Sequence, residues 1–455
     1  MIKHNNEGTI INLCAAGALD SLAGIVDKTF GRDAPGEDTL GKDMPCLIVT
    51  DETVWQAVSG HFSAFLRDKP DTVFHILPGS PAPYASDELV AEVAATLKAH
   101  AGLVPIAVGS GTINDVVKRA SFEQGARYVC VPTAPSVDGF TSYGAAITVR
   151  GFKLTLECPA PLCVVADEAI LREAPLPLIS AGFADLLAKL PGGADWILAD
   201  ELGIEPIDPV TWEIVQPVAS RLLGNGAAIK SRDARAIEGL YQGLIASGLA
   251  MQRYKDSRPA SGAEHLFAHT WEMSHLAKDG KPISHGFKVA LGSLISAALA
   301  EELFGKGGSL RRLLERRGFA ADPSLRLARS RRAESLLAGS PYLDQTLAMI
   351  ARKTPDQEAI AERAARARQA WPTLASRYAA QLPPFAELKA DLAAGGCPTE
   401  PADIGLSRAA CVESMKIASL IRNRYTVLDL VSELGILDEA AEAVFAEPWF
   451  SAYES

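Results

Sequence analysis

The chain has 455 residues, of which 48% are hydrophobic and 22% are charged, and its formal net charge is −11. This length and composition are typical of a globular enzyme with more than one domain. The negative charge argues against a general nucleic-acid binder, and the absence of any run of about 18 apolar residues argues against a membrane span.

The first residues and the cysteines bear on cellular location. The start, MIKHNNEGTIINLC, lacks the apolar core of a secretory signal. The seven cysteines are scattered and form no C-x-x-C pair, which is typical of reduced thiols. We therefore expect a cytoplasmic protein without a thiolate metal site.

Short apolar runs alternate with helical stretches between about residues 45 and 170. The runs predicted to be buried strands are CLIVTD at 46–51, VFHILPG at 73–79, LVPIAVG at 103–109 and YVCVPTAP at 128–135. Strands separated by helices predict a mostly parallel sheet with helices on both faces. Two further strands are predicted in GFKLTLECP and LCVVADEAI, as an antiparallel hairpin at the sheet edge.

The pattern of predicted secondary structure changes near residue 175. Beyond it, long segments rich in Ala, Leu and Arg repeat their apolar residues at helical spacing, as in ARAIEGLYQGLIASGLAMQRY. We therefore predict an α/β nucleotide-binding domain over residues 1–175 and an all-α domain over residues 176–455.

Two loops of the predicted sheet have the composition of ligand-binding segments. In VGSGTIND, residues 108–115, Gly109 and Gly111 lie where a strand ends and a helix begins, which allows a phosphate to approach the free N–H groups of the helix. In VPTAPSVDGFTS, residues 131–142, four hydroxyl side chains accompany Asp138. The alternatives are a plain strand–helix turn and a turn rich in Ser and Pro.

A histidine cluster is the sharpest local signal. Residues 264–288, EHLFAHTWEMSHLAKDGKPISHGFK, contain four of the eight histidines. His265 and His269 are four residues apart and share a helix face, and His285 lies beyond a turn where the next helix starts. Clustered imidazoles suit zinc, nickel or iron, and Asp185 is a candidate anionic ligand. The alternative for Asp185 is an exposed carboxylate paired with Lys189 at i,i+4.

The order of these segments resembles that of the glycerol-1-phosphate dehydrogenase family, in the superfamily of iron-type alcohol dehydrogenases, glycerol dehydrogenases and dehydroquinate synthases. GSGTIND, PTAPSVDGFTS, AGFADLLAK, SGAEHLFAH and HGFKVALG carry the resemblance, over roughly residues 40–300. It implies a dehydroquinate synthase-like fold, a homodimer, and reversible hydride transfer between NAD(P)H and dihydroxyacetone phosphate that gives sn-glycerol 1-phosphate. It also implies one divalent metal: zinc, nickel or iron.

The resemblance assigns roles to individual residues. It implies cofactor contacts from Asp51, Gly109, Gly111, Thr112, Ile113, Asn114, Asp115, Thr133, Ala134, Pro135, Ser136 and Ser142. It implies metal ligation by Asp185, His265 and His285, and substrate contacts from Asp138, Asp185 and His269. Asp185 and His269 would be catalytic, with His269 relaying a proton. No role is implied for His275.

Details of the sequence bear on the cofactor and the substrate. Asp51 favours NAD over NADP, because a carboxylate repels a 2′-phosphate. Asp185, where the synthases have Glu, favours a dehydrogenase. Ala184 stands where Gly is common, and LPGG at residues 190–193 replaces a more polar stretch. The alternatives are a related enzyme for another polyol or phosphorylated ketone, such as a glycerol dehydrogenase or a dehydroquinate synthase-like enzyme, and an inactive nucleotide-binding protein.

Overall fold

The computed structural model describes residues 8–31, 43–150 and 152–454. The first seven residues, which belong to the segment examined for a secretory signal, lie outside this range. So does Gly151, the first residue of the predicted strand GFKLTLECP. None of the helices in the described part of the chain combines the length and the apolar character that crossing a bilayer requires.

The strands, in chain order, are β1 (Ile11–Ala15), β2 (Cys46–Asp51), β3 (Val73–Leu77), β4 (Val104–Gly109), β5 (Val129–Pro132), β6 (Ala145–Val149), β7 (Phe152–Leu156), β8 (Cys163–Asp167), β9 (Ala277–Lys278) and β10 (Lys281–Pro282). The earlier helices are α1 (Leu22–Phe30), α2 (Glu52–Val58), α3 (Ser63–Asp68), α4 (Asp87–Ala99), α5 (Gly111–Glu123), α6 (Glu168–Glu173), α7 (Leu176–Leu187), α8 (Lys189–Glu201), α9 (Pro209–Leu222), α10 (Gly226–Lys230) and α11 (Ala234–Tyr254).

The later helices are α12 (Ala263–Met273), α13 (His285–Phe304), α14 (Ser309–Arg317), α15 (Leu325–Leu336), α16 (Leu343–Lys353), α17 (Gln357–Gln381), α18 (Phe385–Ala394), α19 (Arg408–Ala418), α20 (Val427–Glu433) and α21 (Leu437–Val444). Short 3₁₀ turns, among them one at Asp138–Thr141, lie between these elements.

The chain forms two compact units. The first contains the described residues up to Gly182 together with Arg232–Asp256, and the second contains Phe183–Ser231 and the described residues from Ser257 onward. The predicted domain boundary after residue 175 stays a prediction. It was placed where the sequence changes from alternating strands and helices to helices alone. In the structure, however, the later helix α11 belongs to the same compact unit as the sheet.

The first unit is built on a six-stranded sheet in the order β1-β8-β5-β4-β2-β3, with all pairs parallel. Strands β2, β4, β5 and β8 are buried along their whole length, which explains their continuous apolar sequences. The chain passes from β2 outward to β3 and returns to β4 on the other side of β2. Ligands of open α/β sheets bind at the carboxyl ends of the strands where the order reverses in this way.

The hairpin predicted from GFKLTLECP and LCVVADEAI is wrong. β7 pairs antiparallel with β6 in a separate two-stranded sheet, and β8 is a parallel strand between β1 and β5. β8 is apolar on both faces, a pattern typical of an interior strand, and it is the partner of β1, which the sequence analysis did not predict.

The second unit is mostly helical, and the short ribbon β9–β10 is its only sheet among the described residues. The two histidine-bearing helices behave as the sequence predicts: α12 contains His265 and His269, and α13 begins at His285. The predicted fold class, an α/β part with a parallel sheet followed by a helical part, is confirmed.

Candidate functional site

The glycine turn and the hydroxyl-rich loop lie side by side at the carboxyl end of the sheet. Gly109 ends β4 and is the neighbour of Pro132 at the end of β5, and the Thr133 amide donates to the Gly109 carbonyl at 3.1 Å. Gly111 begins α5, a helix of 13 residues whose N-cap, Ser110, makes no side-chain hydrogen bond to the first N–H groups, and such groups commonly bind anions. The two segments predicted to bind the cofactor are therefore adjacent.

The two glycines of the turn are also required by packing. A Cβ atom at Gly109 would lie 2.6 Å from Cβ of Ile113, and one at Gly111 would lie 2.8 Å from a methyl carbon of Val137. Gly111 thus lets the loop of residues 131–142 approach the start of α5. Close approach of backbone segments is a common reason for glycine in a turn.

Polar side chains of α5 hold this loop in place. The ammonium of Lys118 donates to the carbonyls of Gly139, Ser142 and Gly144 and to the Ser142 hydroxyl, at 2.9–3.2 Å. Asn114 donates to the Gly139 carbonyl at 3.1 Å and accepts from Tyr128 at 2.9 Å. Asn114 and Ser142, two of the predicted cofactor residues, therefore make hydrogen bonds that hold the loop in place.

Asp115 and Asp138 extend the same framework. Asp115 accepts from the Ala146 amide at 3.2 Å, and burial raises the pKa of this carboxyl despite the charge of Lys118. Asp138 accepts a hydrogen bond from Ser247 of α11 at 2.8 Å. A Cβ atom at Gly248 would collide with Thr141, so α11 packs directly against the loop.

The remaining cofactor candidates surround the same strand ends. Asp51 ends β2 and is buried, and its carboxylate accepts from the Val54 amide at 2.9 Å as the N-cap of α2. Gly111 and Thr112 are half-buried. The others are buried around the two loops or packed against them: Ile113, Thr133, Ala134, Pro135 and Ser136.

In the second unit, Asp185, His265 and His285 converge. One ligand atom from each lies within 4.8 Å of the others, and His265 Nε2 is 3.5 Å from Asp185 Oδ1. Ligand bonds of about 2.1 Å in a tetrahedral zinc site place ligand atoms roughly 3.4 Å apart, so this pair already has the required spacing. The donor set, a carboxylate and two imidazoles, leaves a coordination position for substrate, and the residues fit a divalent metal.

The outer nitrogens of both candidate ligand histidines are held by carboxylates. His265 Nδ1 is 2.8 Å from Glu264 Oε1, and His285 Nδ1 is 2.7 Å from Glu272 Oε1. Ligand histidines in metalloproteins commonly donate their second N–H to such a group, which directs the other nitrogen at the metal. This observation supports a metal centre independently of the three-residue cluster.

The ionisable side chains around the cluster influence one another's pKa values. Burial raises the pKa of Asp185, but the ammonium of Lys189 at 2.7 Å and the hydrogen bond from His265 outweigh it and hold the pKa well below its usual range. Burial lowers the pKa of His265, but its hydrogen bonds with Asp185 and Glu264 raise it overall. Asp185 is therefore a buried carboxylate paired with Lys189, not the exposed one of the sequence alternative.

His269 lies beside the cluster but is not part of the three-residue group. Its ring centre is 6.3 Å from those of both His265 and His285, and its Nδ1 is 3.3 Å from Glu272 Oε2. Burial lowers the pKa of His269 to about 3, with Arg422 adding to the shift and Glu272 opposing it. His275, which was given no role, is exposed.

The unusual stretch LPGG makes room for Glu264. This side chain is fully buried, and a Cβ atom at Gly192 would lie 3.2 Å from its Oε1. Gly262 also borders this carboxylate, because a Cβ atom there would lie 2.9 Å from Oε2, whereas Gly292 packs against the backbone carbonyl of Glu264. A side chain at residue 192 would therefore displace the carboxylate that orients His265.

Sequence reasoning missed Glu264, Glu272, Lys118 and Asp195. Asp195 accepts from the amides of Ala263 and Val427 at 2.7 Å each and so fixes the first residue of α12. Burial and the nearby charge of Glu264 raise the pKa of Asp195 to about 7. One available signal was helical spacing, because Glu272 follows His269 by three residues and therefore lies on its face of α12.

Comparisons with known proteins agree with this geometry. A family model described as iron-containing alcohol dehydrogenase matches residues 39–175. A glycerol-1-phosphate dehydrogenase [NAD(P)+] from Bacillus licheniformis is 31% identical over 292 residues, which are 61% of this chain and 72% of that protein. The chain belongs to the glycerol-1-phosphate dehydrogenase family. The resemblance read from the motifs is confirmed.

Two further relatives are enzymes of the same family. The enzyme of the same name from Sulfurisphaera tokodaii is 35% identical over 57% of this chain and 71% of its own length. The Bacillus subtilis enzyme is 41% identical over 42% of this chain, and that match spans about half of the relative, 49%.

Solved structures support the fold. Glycerol dehydrogenase from Schizosaccharomyces pombe aligns with a TM-score of 0.59 at 14% identity, over 97% of this chain and 91% of that one. Sulfoacetaldehyde reductase from Bifidobacterium kashiwanohense, solved in complex with NAD+, aligns with a TM-score of 0.58 at 13% identity, over 98% and 100%.

Proposed function

We propose that this chain is a metal-dependent, NAD(P)-linked dehydrogenase that interconverts dihydroxyacetone phosphate and sn-glycerol 1-phosphate. The observation that carries the proposal is the convergence of Asp185, His265 and His285, of which the first two are buried and the third half-buried, with the outer nitrogens of both imidazoles held by carboxylates. A catalytically inactive nucleotide-binding protein would have no need for such a set.

The residues divide into binding roles. Asp185, His265 and His285 would hold a divalent ion of zinc, nickel or iron, and the start of α5 with Gly109, Gly111 and Thr112 would bind the cofactor pyrophosphate. When bound, the metal supplies a Lewis acid for the substrate oxygen and the cofactor supplies the hydride.

Two side chains are proposed to face the substrate besides Asp185. The low pKa of His269 keeps its ring neutral at physiological pH, so the nitrogen that does not face Glu272 can accept a hydrogen bond from a hydroxyl group. Asp138 is held by Ser247, which gives its carboxylate a defined orientation. Both assignments come from the family resemblance, and these contacts support them.

Asp51 supports a preference for NAD. Its carboxylate lies at the end of β2, next to the strand that carries the glycine turn, and it caps α2. A negative charge at this place favours a ribose hydroxyl over a phosphate. We further propose a homodimer in the cytoplasm, as the family resemblance and the reduced cysteines indicate.

The proposal is tested by following NADH and NADPH oxidation at 340 nm with dihydroxyacetone phosphate and with dihydroxyacetone. The chain is first stripped with EDTA and then reloaded with zinc, nickel or iron(II). We expect metal-dependent turnover of the phosphorylated ketone with NADH. Turnover of dihydroxyacetone alone would replace the proposal with a glycerol dehydrogenase, and no turnover with any metal would refute it.

A further inference from the structure

Glu272 is a carboxylate of α12 that holds the Nδ1 atoms of two histidines, His269 and His285. Its Oε1 lies 2.7 Å from His285 Nδ1 and its Oε2 lies 3.3 Å from His269 Nδ1. Its side chain is only 10% exposed, so these contacts are shielded from water. One carboxylate thus serves a candidate metal ligand and a candidate substrate-facing histidine.

These contacts fix which nitrogen of each ring carries hydrogen. A carboxylate only accepts hydrogen bonds, so each nitrogen that faces Glu272 must be an N–H donor. In a neutral imidazole the other nitrogen, Nε2, is then an unprotonated acceptor. For His285 this is the form that ligates a metal. For His269 this form leaves a lone pair on Nε2, and the ring lies beside the three candidate metal ligands.

We propose that Glu272 is a positioning residue that sets both rings in the Nδ1–H form, so that His269 accepts a hydrogen bond from a hydroxyl group of the substrate. In the ketone direction, dihydroxyacetone phosphate has one hydroxyl group, on the carbon next to the carbonyl. The inference therefore specifies the substrate class as ketones with a free hydroxymethyl group. It rests on the proposed function.

A substrate without this hydroxyl group leaves the Nε2 acceptor of His269, whose side chain is 21% exposed, without this donor. Sites built to bind a substrate hydroxyl reject analogues that lack it, because the polar group of the protein loses its partner. Acetonyl phosphate has a methyl group in place of the hydroxymethyl group and is otherwise the same ketone phosphate. We expect kcat/KM for dihydroxyacetone phosphate to exceed that for acetonyl phosphate by at least about 10-fold.

Glu264 provides a matched control. It holds His265 Nδ1 at 2.8 Å as Glu272 holds His285, whereas His269 Nδ1 faces Glu272 and not Glu264. Glu264→Gln should therefore weaken metal binding without changing the preference between the two ketones. Glu272→Gln should weaken metal binding by about 10- to 100-fold and also reduce the preference, because an amide offers one acceptor oxygen and cannot serve both N–H groups. His269→Ala should lose the preference and keep the metal affinity.

Three measurements separate the possible outcomes. Metal affinity is measured by titrating zinc into EDTA-treated protein, ring tautomers by long-range ¹⁵N–¹H NMR of metal-free protein, and ketone preference by NADH oxidation. The His269 signal is identified by its loss in His269→Ala, and circular dichroism checks the fold of every variant.

The inference is supported if the His269 signal has the Nδ1–H form in wild type and loses it in Glu272→Gln, together with the expected affinities and preferences. It is overturned if wild-type His269 has the Nε2–H form, if wild type does not prefer the hydroxyl-bearing ketone, or if Glu272→Gln keeps both the metal affinity and the preference. If wild type reduces neither ketone, the proposed function fails, and the NMR and zinc measurements still decide whether Glu272 positions both rings.

Discussion

The loops at the sheet end and the imidazole cluster differ in which groups, backbone or side chain, are proposed to bind ligands. At the sheet end, the backbone of the turn after β4 is the part proposed to bind a ligand, and side chains such as Lys118 and Asn114 donate hydrogen bonds to the loop of residues 131–142. In the cluster, the side chains themselves are the chemical groups, and each is paired with another charged or polar side chain.

This difference predicts how each region responds to mutation. Side-chain changes near the loops should act indirectly, by moving the backbone that is proposed to bind the cofactor. Changes in the cluster should affect chemistry and stability together, because removing one member of a buried ion pair leaves the other charge in a poorly solvated place. The variants below test this contrast.

The largest effect is expected for Asp185→Ala. This variant should lose the metal and all turnover, and it should cost roughly 3–5 kcal/mol in the free energy of unfolding because the buried ammonium of Lys189 loses its ion pair. The double variant Asp185→Ala/Lys189→Met should regain most of this stability but neither metal nor turnover. Urea unfolding and metal analysis measure both quantities. Stoichiometric metal in either variant would remove Asp185 from the ligand set.

Lys118→Met tests whether the ammonium of Lys118 anchors the loop of residues 131–142 to α5. The ammonium donates to four acceptors in residues 139–144, and without it the loop loses its fixed distance from α5. We expect NADH affinity to fall by about 10-fold or more, since each lost charged hydrogen bond is worth about 1.5–3 kcal/mol. The control is Arg119→Met, which removes the neighbouring charge of α5. NADH fluorescence titrations that show equal affinity for both variants would contradict the anchor role.

The sequence predicted the parts of the molecule that depend on local pattern. Apolar runs indicated β2 to β5, and the spacing of His265 and His269, with His285 at a helix start, indicated the cluster. The place of β8 in the sheet could not be read in this way, because strand order depends on packing. Glu272 was missed for the same reason: its contact with His285 exists only because α12 and α13 pack against each other.

The low pKa of His269 should be visible in the stability of the metal-free chain. Burial lowers this pKa to about 3, whereas an unfolded histidine titrates near about 6.5. The unfolded state therefore binds more protons below about pH 6.5, so the stability due to His269 is present above that pH and is lost as the pH falls toward about 3. The stability difference between wild type and His269→Gln should shrink from pH 7 to pH 4 in urea unfolding. A difference independent of pH would show that the ring titrates normally.

Gly111 distinguishes packing from ligand approach. A Cβ atom there points at Val137, 2.8 Å from its methyl carbon, so Gly111→Ala should displace the loop and weaken NADH binding by several-fold to about 10-fold. Gly111→Ala/Val137→Ala should restore affinity to within about three-fold, because the shorter side chain removes the collision. The measurement is again NADH fluorescence. Failure of the second substitution to restore binding would show that the added carbon obstructs the cofactor itself.

The smallest effects are expected for the lysines near the cluster. A dianionic substrate in a chain of net charge −11 requires local positive charge, and Lys189 and Lys288 are the candidates nearest in sequence to the metal ligands. Lys189 is held by Asp185 at 2.7 Å, so Lys189→Met should mainly change metal affinity. Lys288 lies one helical turn beyond His285 and is buried, and Lys288→Met should raise KM for dihydroxyacetone phosphate by several-fold. KM for unphosphorylated dihydroxyacetone should stay within about two-fold, since it has no phosphate to bind. Equal changes for both ketones would exclude Lys288 from phosphate recognition.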